Sequence, residues 1–227
     1  MSTKFTEFHN KIEDKILEYK KLDKNIFITS SFQTYSMPLL HIISLIDNSI
    51  PIYFLNTGFH FAETIEFKNR IENMFNVKII DVASEISKVN QVDENGMFHY
   101  VNNISYCCYI NKVLPMQGIF NKYDVWISGI RKDQNANRAK MSETHITKEG
   151  IERYHPILDW TSKMVWDYID EYNLPTHPLE EKGYLTVGCE PCTSKFIDSK
   201  LDTLRDGSRW EGMNKTECGL HTDLANK

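Results

Sequence analysis

Four short apolar runs, spaced by stretches of helical periodicity, limit this chain most. Residues 25–29, 51–56, 77–82 and 124–130 each read as a buried strand. Between them, residues 5–20, 36–47 and 61–75 place apolar side chains at helical spacing. Strands that alternate with helices pair in parallel, because each crossover carries the chain back over the sheet. The expected fold is therefore α/β, with a parallel sheet covered by helices. Ligands of such sheets sit beyond the carboxyl ends of the strands. That singles out Ser30-Ser31, Asn56-Thr57-Gly58 and Arg131-Lys132-Asp133. Residues 83–103 have no assignable pattern. A further helix is expected over 161–173, capped by Thr161 or Ser162.

The pattern changes near residue 140, and from His177 onward Gly, Pro, Cys and charged residues dominate. The organisation expected is a nucleotide-binding α/β part over 1–176, and a loop-rich segment over 177–227 belonging to the same domain. From about residue 205 the chain is expected to be a mobile tail.

The turn after the first strand reads Thr29-Ser30-Ser31-Phe32-Gln33-Thr34-Tyr35-Ser36. A strand, a hydroxyl-rich turn and a helix N-terminus make an anion site, since free N–H groups and the helix dipole face the ligand. Taken alone, the segment reads more simply as residues that only cap the helix. The turn has no glycine, which a backbone wrapped around a diphosphate would require, so ATP cleavage with pyrophosphate release is disfavoured. A single phosphate or a sulfate fits better.

Five cysteines fall as two, two and one: Cys107 with Cys108, Cys189 with Cys192, and Cys218. An odd count without a secretory signal argues against a disulfide framework. Cys189-Glu-Pro-Cys192 alone could be a redox pair or half of a metal site. With Cys107 and Cys108 it makes four thiolates, enough for zinc or for an iron–sulfur cluster. Adjacent side chains diverge, so one tetrahedral ion suits Cys107 and Cys108 poorly. A cubane, with several irons at its corners, suits them better. Cys218 stands apart, flanked by Lys215 and His221, whose charge would favour the thiolate.

Lys and Arg number 26 against 31 Asp and Glu, a net charge of −5. That balance argues against non-specific nucleic-acid binding, which needs a basic face. No stretch approaches the roughly 20 apolar residues that span a bilayer. The polar N-terminus carries no apolar signal core, and a cytoplasmic location is expected.

Taken together, these residues resemble the thioredoxin-dependent sulfonucleotide reductases of sulfate assimilation and cysteine biosynthesis. The matching segments are Ser30-Ser31-Phe32-Gln33, Tyr53 to Thr64, Ser128 to Gln134, Pro156 to Trp160, Gly183-Tyr184, Gly188 to Thr193 and Glu217-Cys218-Gly219-Leu220-His221. They run from about residue 25 to the end of the chain. The two cysteine pairs are similar to the cluster-bearing branch, which uses adenylyl sulfate rather than phosphoadenylyl sulfate.

The resemblance implies a Rossmann-like parallel sheet of the adenine nucleotide α-hydrolase type and a 4Fe-4S cluster on Cys107, Cys108, Cys189 and Cys192. It also implies a mechanism. Cys218 would attack the sulfur of the bound sulfonucleotide, AMP would leave, and thioredoxin would release sulfite from the S-sulfocysteine. Arg131 and Arg138 match the family's substrate-contacting arginines, and Lys112 matches the lysine between cluster and substrate. Arg205 and Arg209 match basic positions that close over the substrate. Ser30, Ser31, Phe32, Thr57, Gly58 and His221 complete the implied binding set. A homo-oligomer is implied as well.

The sequence departs from the family in three places: in the residues after Phe32, at Asn56 where Asp is usual, and at Ala62 where Pro commonly precedes the Glu. These lie on the nucleotide side and leave acceptance of a 3′-phosphate open. The competing reading is an ATP-dependent sulfur- or tRNA-modifying enzyme on the same fold. The glycine-free turn and the missing basic face weigh against it. A non-catalytic, metal-stapled binding module is the third.

Overall fold

The computed structural model describes residues 3–195, Arg209 and Leu220. Six strands form one sheet: β1 (Ile26–Thr29), β2 (Ile52–Leu55), β3 (Ile79–Val82), β4 (Val125–Ser128), β5 (Thr144–Ile146) and β6 (Glu152–Tyr154). Their order is β3-β2-β1-β4-β6-β5. Every pairing is parallel except β5 with β6, which is antiparallel. The helices are α1 (Thr3–Lys21), α2 (Met37–Asp47), α3 (Ala62–Phe75), α4 (His99–Asn102), α5 (Ile104–Cys108), α6 (Leu114–Phe120) and α7 (Ser162–Glu171). The α/β expectation and the first four strands hold.

Strand side chains alternate between two apolar layers, as the pleat requires. On β1, Ile26 and Ile28 join the larger core, while Phe27 faces the smaller one. On β4, Val125 and Ile127 follow the first and Trp126 the second. Helices α1, α2, α3 and α7 supply the larger core, and Met116 and Ile119 of α6 supply the smaller. Both faces of the sheet are thus covered, which is why its central strands read as continuous apolar runs.

Strands β5 and β6 lie where the sequence pattern had already changed. Strand β6 carries Arg153, fully buried with its guanidinium 3.9 Å over the Trp126 ring. A buried cation on an aromatic face replaces the apolar residue that would have marked a strand. The expected cap on α7 is Thr161, whose Oγ1 accepts from the Met164 amide at 3.2 Å.

Strand β1 has β2 on one side and β4 on the other, so the strand order reverses beside it. That switch point opens a crevice at the carboxyl ends of β1, β2 and β4.

Candidate functional site

The crevice is a cleft of about 450 Å³. Its walls include Ser30 and Ser31 after β1, Arg131 and Arg138 after β4, Lys112, Arg209 and Leu220. Among the residues lining it, four are Lys or Arg and one, Asp133, is acidic. Converging cations with charge-capable donors suit a compact anion.

The serine turn is held open toward the cleft. Ser30 N donates to Tyr53 O at 3.2 Å, and Phe32 N donates to Ser30 Oγ at 3.1 Å. Gln33 Nε2 donates to Ser31 Oγ at 3.0 Å, while its Oε1 accepts from Val187 N at 2.9 Å. Neither Gln33 nor Ser36 caps the following turn or helix through its side chain. Ser30, Ser31 and Ser36 line the cleft, whereas the Thr34 hydroxyl bonds Glu180 and the His177 amide. Gln33, unassigned in the sequence reading, ties that wall to residue 187.

Arg131 is 2% exposed. Its Nε donates to Asp133 Oδ1 at 3.0 Å, one Nη donates to Ser162 Oγ at 3.1 Å, and the guanidinium lies 4.7 Å over the Tyr35 ring. Its other Nη is buried without a partner. Arg138 is buried and donates to Gln134. Arg209 is buried too, with Nε donating to Cys192 O at 3.2 Å and Nη1 to Val187 O at 3.3 Å. His60 also lines the cleft. Its Nε2 faces Leu55 O at 2.8 Å, and burial, with Lys112 and Arg209 nearby, holds its pKa down to about 4.

A second, much smaller cavity adjoins the cleft. All four of Cys107, Cys108, Cys189 and Cys192 line it, and all are buried. Lys112 and Cys189 belong to both walls. Cys107 and Cys108 end α5, and a π-helical turn, Tyr109–Val113, carries the chain on into α6. Such turns occur often at functional sites. Thr57 sits on this cavity, with Oγ1 3.3 Å from Cys189 Sγ, rather than on the cleft. Burial, then repulsion from the other thiols, pushes Cys107 up to about 12. Burial and Cys189 push Cys192 up to about 11. Among the described residues, no group of three or more His, Cys, Asp or Glu could hold a single metal ion.

Besides Thr57, two expected binding residues are not brought to the cleft. The Phe32 side chain is fully buried in the core against Phe54, at a ring distance of 5.6 Å, with its backbone in the left-handed region at φ 54°. Gly58 is exposed and lines neither cavity. Cys218, Arg205 and His221 lie outside the described residues.

Comparison with known proteins points the same way. The model of the phosphoadenosine phosphosulfate reductase domain matches residues 25–195. An adenosine 5'-phosphosulfate reductase of Bacillus cytotoxicus is 35% identical over 212 residues, 89% of this chain and 86% of its own. The crystal structure of phosphoadenylyl-sulfate reductase from Candida auris, a phosphate complex, superposes with a TM-score of 0.65 at 19% identity, over 84% of this chain and 96% of that one. The U34-tRNA thiolase of Methanococcus maripaludis, solved with its 4Fe-4S cluster, shares the fold more distantly, with a TM-score of 0.52 at 13% identity over 75% of this chain and 66% of that one. The match over most of the chain, on a fold whose Lys- and Arg-lined cleft adjoins four gathered cysteines, means that the chain belongs to the sulfonucleotide reductase family, oxidoreductases acting on a sulfur group.

Proposed function

We propose that this protein reduces adenylyl sulfate to sulfite and AMP, with thioredoxin as the reductant and Cys218 as the nucleophile. The observation that carries the reading is the shared wall. A cleft lined by Lys112, Arg131, Arg138 and Arg209 meets a cavity lined by four cysteines, and Leu220, two residues along from Cys218, is part of the cleft wall.

In this reading the cations bind the phosphate and sulfate groups and orient the sulfur. The Cys218 thiolate attacks that sulfur, the bond from sulfur to the bridging phosphate oxygen breaks, and AMP leaves with the electron pair. Positive charge on the phosphate stabilises the leaving group. The product on the enzyme is S-sulfocysteine. One thioredoxin thiolate then attacks Cys218 Sγ and expels sulfite, and its second thiol resolves the mixed disulfide, leaving oxidised thioredoxin and Cys218 free. Residues 1–176 supply the nucleotide cleft, and residues 177–227 supply one cysteine pair, the closing basic residues and the nucleophile.

The four buried cysteines fit a 4Fe-4S cluster. Their soft donors surround one cavity, and burial raises the thiols of Cys107 and Cys192, so that without a cation those two would stay neutral. Cys107 and Cys108 are adjacent yet both line the cavity, an arrangement that suits separate irons better than one ion. When bound, the cluster supplies local charge and ties α5 to the 189–192 turn. Lys112 stands between that group and the anion cleft. A homo-oligomer in the cytoplasm is the setting we propose, by family likeness.

The deciding experiment is sulfite release with reduced thioredoxin, comparing adenylyl sulfate with phosphoadenylyl sulfate. Turnover of adenylyl sulfate, abolished by Cys218→Ser, is expected. A Cys218→Ser protein that still releases sulfite would sink the mechanism. Comparable turnover of both nucleotides would mean that the departures near Phe32 and Asn56 admit the 3′-phosphate. ATP-dependent pyrophosphate release with no sulfite would revive the sulfur-transfer alternative.

A further inference from the structure

Residues 83–103 have no legible pattern, and the function proposed above uses none of them. Yet they deliver one buried side chain, Gln91, to Asn111 on the wall of the thiol cavity. Gln91 is 2% exposed, and it meets Asn111, 1% exposed, on the π-helical turn. Gln91 Nε2 donates to Asn111 Oδ1 at 3.0 Å, and Asn111 Nδ2 donates back to Gln91 Oε1 at 2.6 Å.

The orientation of this amide pair is fixed from one end. Gln91 Nε2 also donates to the Ile86 carbonyl at 3.0 Å. Flipping Gln91 would set its oxygen against that carbonyl. Flipping Asn111 alone would set oxygen against the Gln91 oxygen. The carbonyl of Ile86 therefore dictates Gln91, and Gln91 dictates Asn111.

An asparagine amide has two hydrogens. One is committed to Gln91. The other is directed at Cys107, with Nδ2 3.0 Å from its carbonyl oxygen and 3.7 Å from its Sγ. So aimed, the amide N–H serves both acceptors of one residue. Its hold on the sulfur strengthens when that sulfur is a thiolate, because bonds to charged acceptors are the stronger ones.

We propose that Asn111 is a positioning residue that donates an N–H···S hydrogen bond to the Cys107 thiolate and so tunes the iron–sulfur group, with Gln91 as the lock on its orientation. This rests on the reading of the four cysteines as cluster ligands. Hydrogen bonds to cluster sulfurs draw charge from the iron and raise the reduction potential. The bond also singles out one of two adjacent cysteines: Asn111 faces Cys107, so the four ligands are electronically unequal.

The test uses the full chain purified without oxygen. Resonance Raman spectra of the Fe–S(Cys) stretches are recorded in H2O and D2O, with iron content and midpoint potential measured alongside. The wild type should hold about four irons and show a deuterium shift. Asn111→Leu should lose the part of that shift carried by Cys107, leaving the part from the Thr57 hydroxyl on Cys189, and have a lower potential. Gln91→Leu, which leaves the donor but frees it to turn, should move both quantities the same way by a smaller amount. An Asn111→Leu protein with full iron and both readings unchanged would overturn the proposal. Should that variant fail to fold, Gln91→Leu and the wild type decide: full iron with no deuterium shift in the wild type, or with the shift and potential unchanged in Gln91→Leu, overturns the proposal while leaving the cluster reading intact. A wild-type protein that binds no iron would overturn the cluster reading, and this inference with it.

Discussion

Arg209 lies so close over Gly188 that a methyl group at residue 188 would overlap the guanidinium. The same guanidinium donates to the carbonyls of Val187 and Cys192, on either side of that glycine. The absence of a side chain at residue 188 is what lets Arg209 sit in the wall between the anion cleft and the cysteine turn.

Gly188→Ala should therefore act through Arg209. The guanidinium is the end of a flexible side chain, so it moves aside rather than unfolding the protein, and it loses two carbonyl acceptors. KM for the sulfonucleotide should rise about tenfold, or about 1.4 kcal/mol, with a change in the urea midpoint too small to account for it. An unchanged KM would mean that Arg209 does not reach the substrate from this position.

Arg131 offers a sharper loss. It is anchored by Asp133 and Ser162 and keeps one buried Nη unpartnered beside the cleft. Arg131→Ala should lower kcat/KM for sulfite release by about a hundredfold or more, the usual cost of removing a preorganised donor to developing charge. Arg131→Lys should recover little, since an ammonium cannot reproduce the fork held between Asp133 and the ligand. Near-full activity in the lysine variant would show that charge alone suffices.

With the proposed cluster bound, stripping its iron with a chelator should destabilise the protein as well as inactivate it. The four thiols of α5 and the 189–192 turn line one cavity, and metal binding there would be coupled to folding. The expected fall in Tm is about 5 °C or more, corresponding to about 2 kcal/mol in a chain of this size. Proteolytic cleavage should concentrate in residues 186–195. An apo protein with the same Tm and the same cleavage pattern would argue that the cysteines are ordinary core residues.

Acid should weaken the fold before the carboxylates titrate. Burial holds His155 down to about 2, and His41 and His177 down to about 4. Below about pH 6.5 the unfolded chain protonates these histidines while the folded protein does not, so stability is lost as pH falls. The loss from His41 and His177 should run from about pH 6.5 to 4, and that from His155 continues lower. Glu180, raised by burial, works in the opposite sense but is a single group. Urea midpoints at pH 7 and pH 5 measure this directly, and equal midpoints would contradict it.

Much of the site could be read from the chain. The runs at Ile26–Thr29, Ile52–Leu55 and Val125–Ser128 announced the sheet, because strands buried on both faces must be apolar throughout. The serine turn and Arg131 followed, since ligands of such sheets lie at the carboxyl ends of strands. Strand β6 escaped because Arg153 is buried on an aromatic ring, and its cost is met by a partner far away in sequence. Phe32 was expected among the binding residues, but its left-handed backbone turns the ring into the core against Phe54.

The sequence by itself determined the layer architecture, the hydroxyl-rich turn after β1 and the two cysteine pairs, all of which follow from local periodicity and residue chemistry. Only the tertiary structure decided that Lys112 and Cys189 stand in both cavity walls, that Gly188 makes room for Arg209, and that Gln91 orients Asn111 toward Cys107. The reason is physical. Periodicity records which face of an element avoids water. Hydrogen bonds and close approaches between distant residues depend instead on how whole elements pack, and that information is spread over the entire chain.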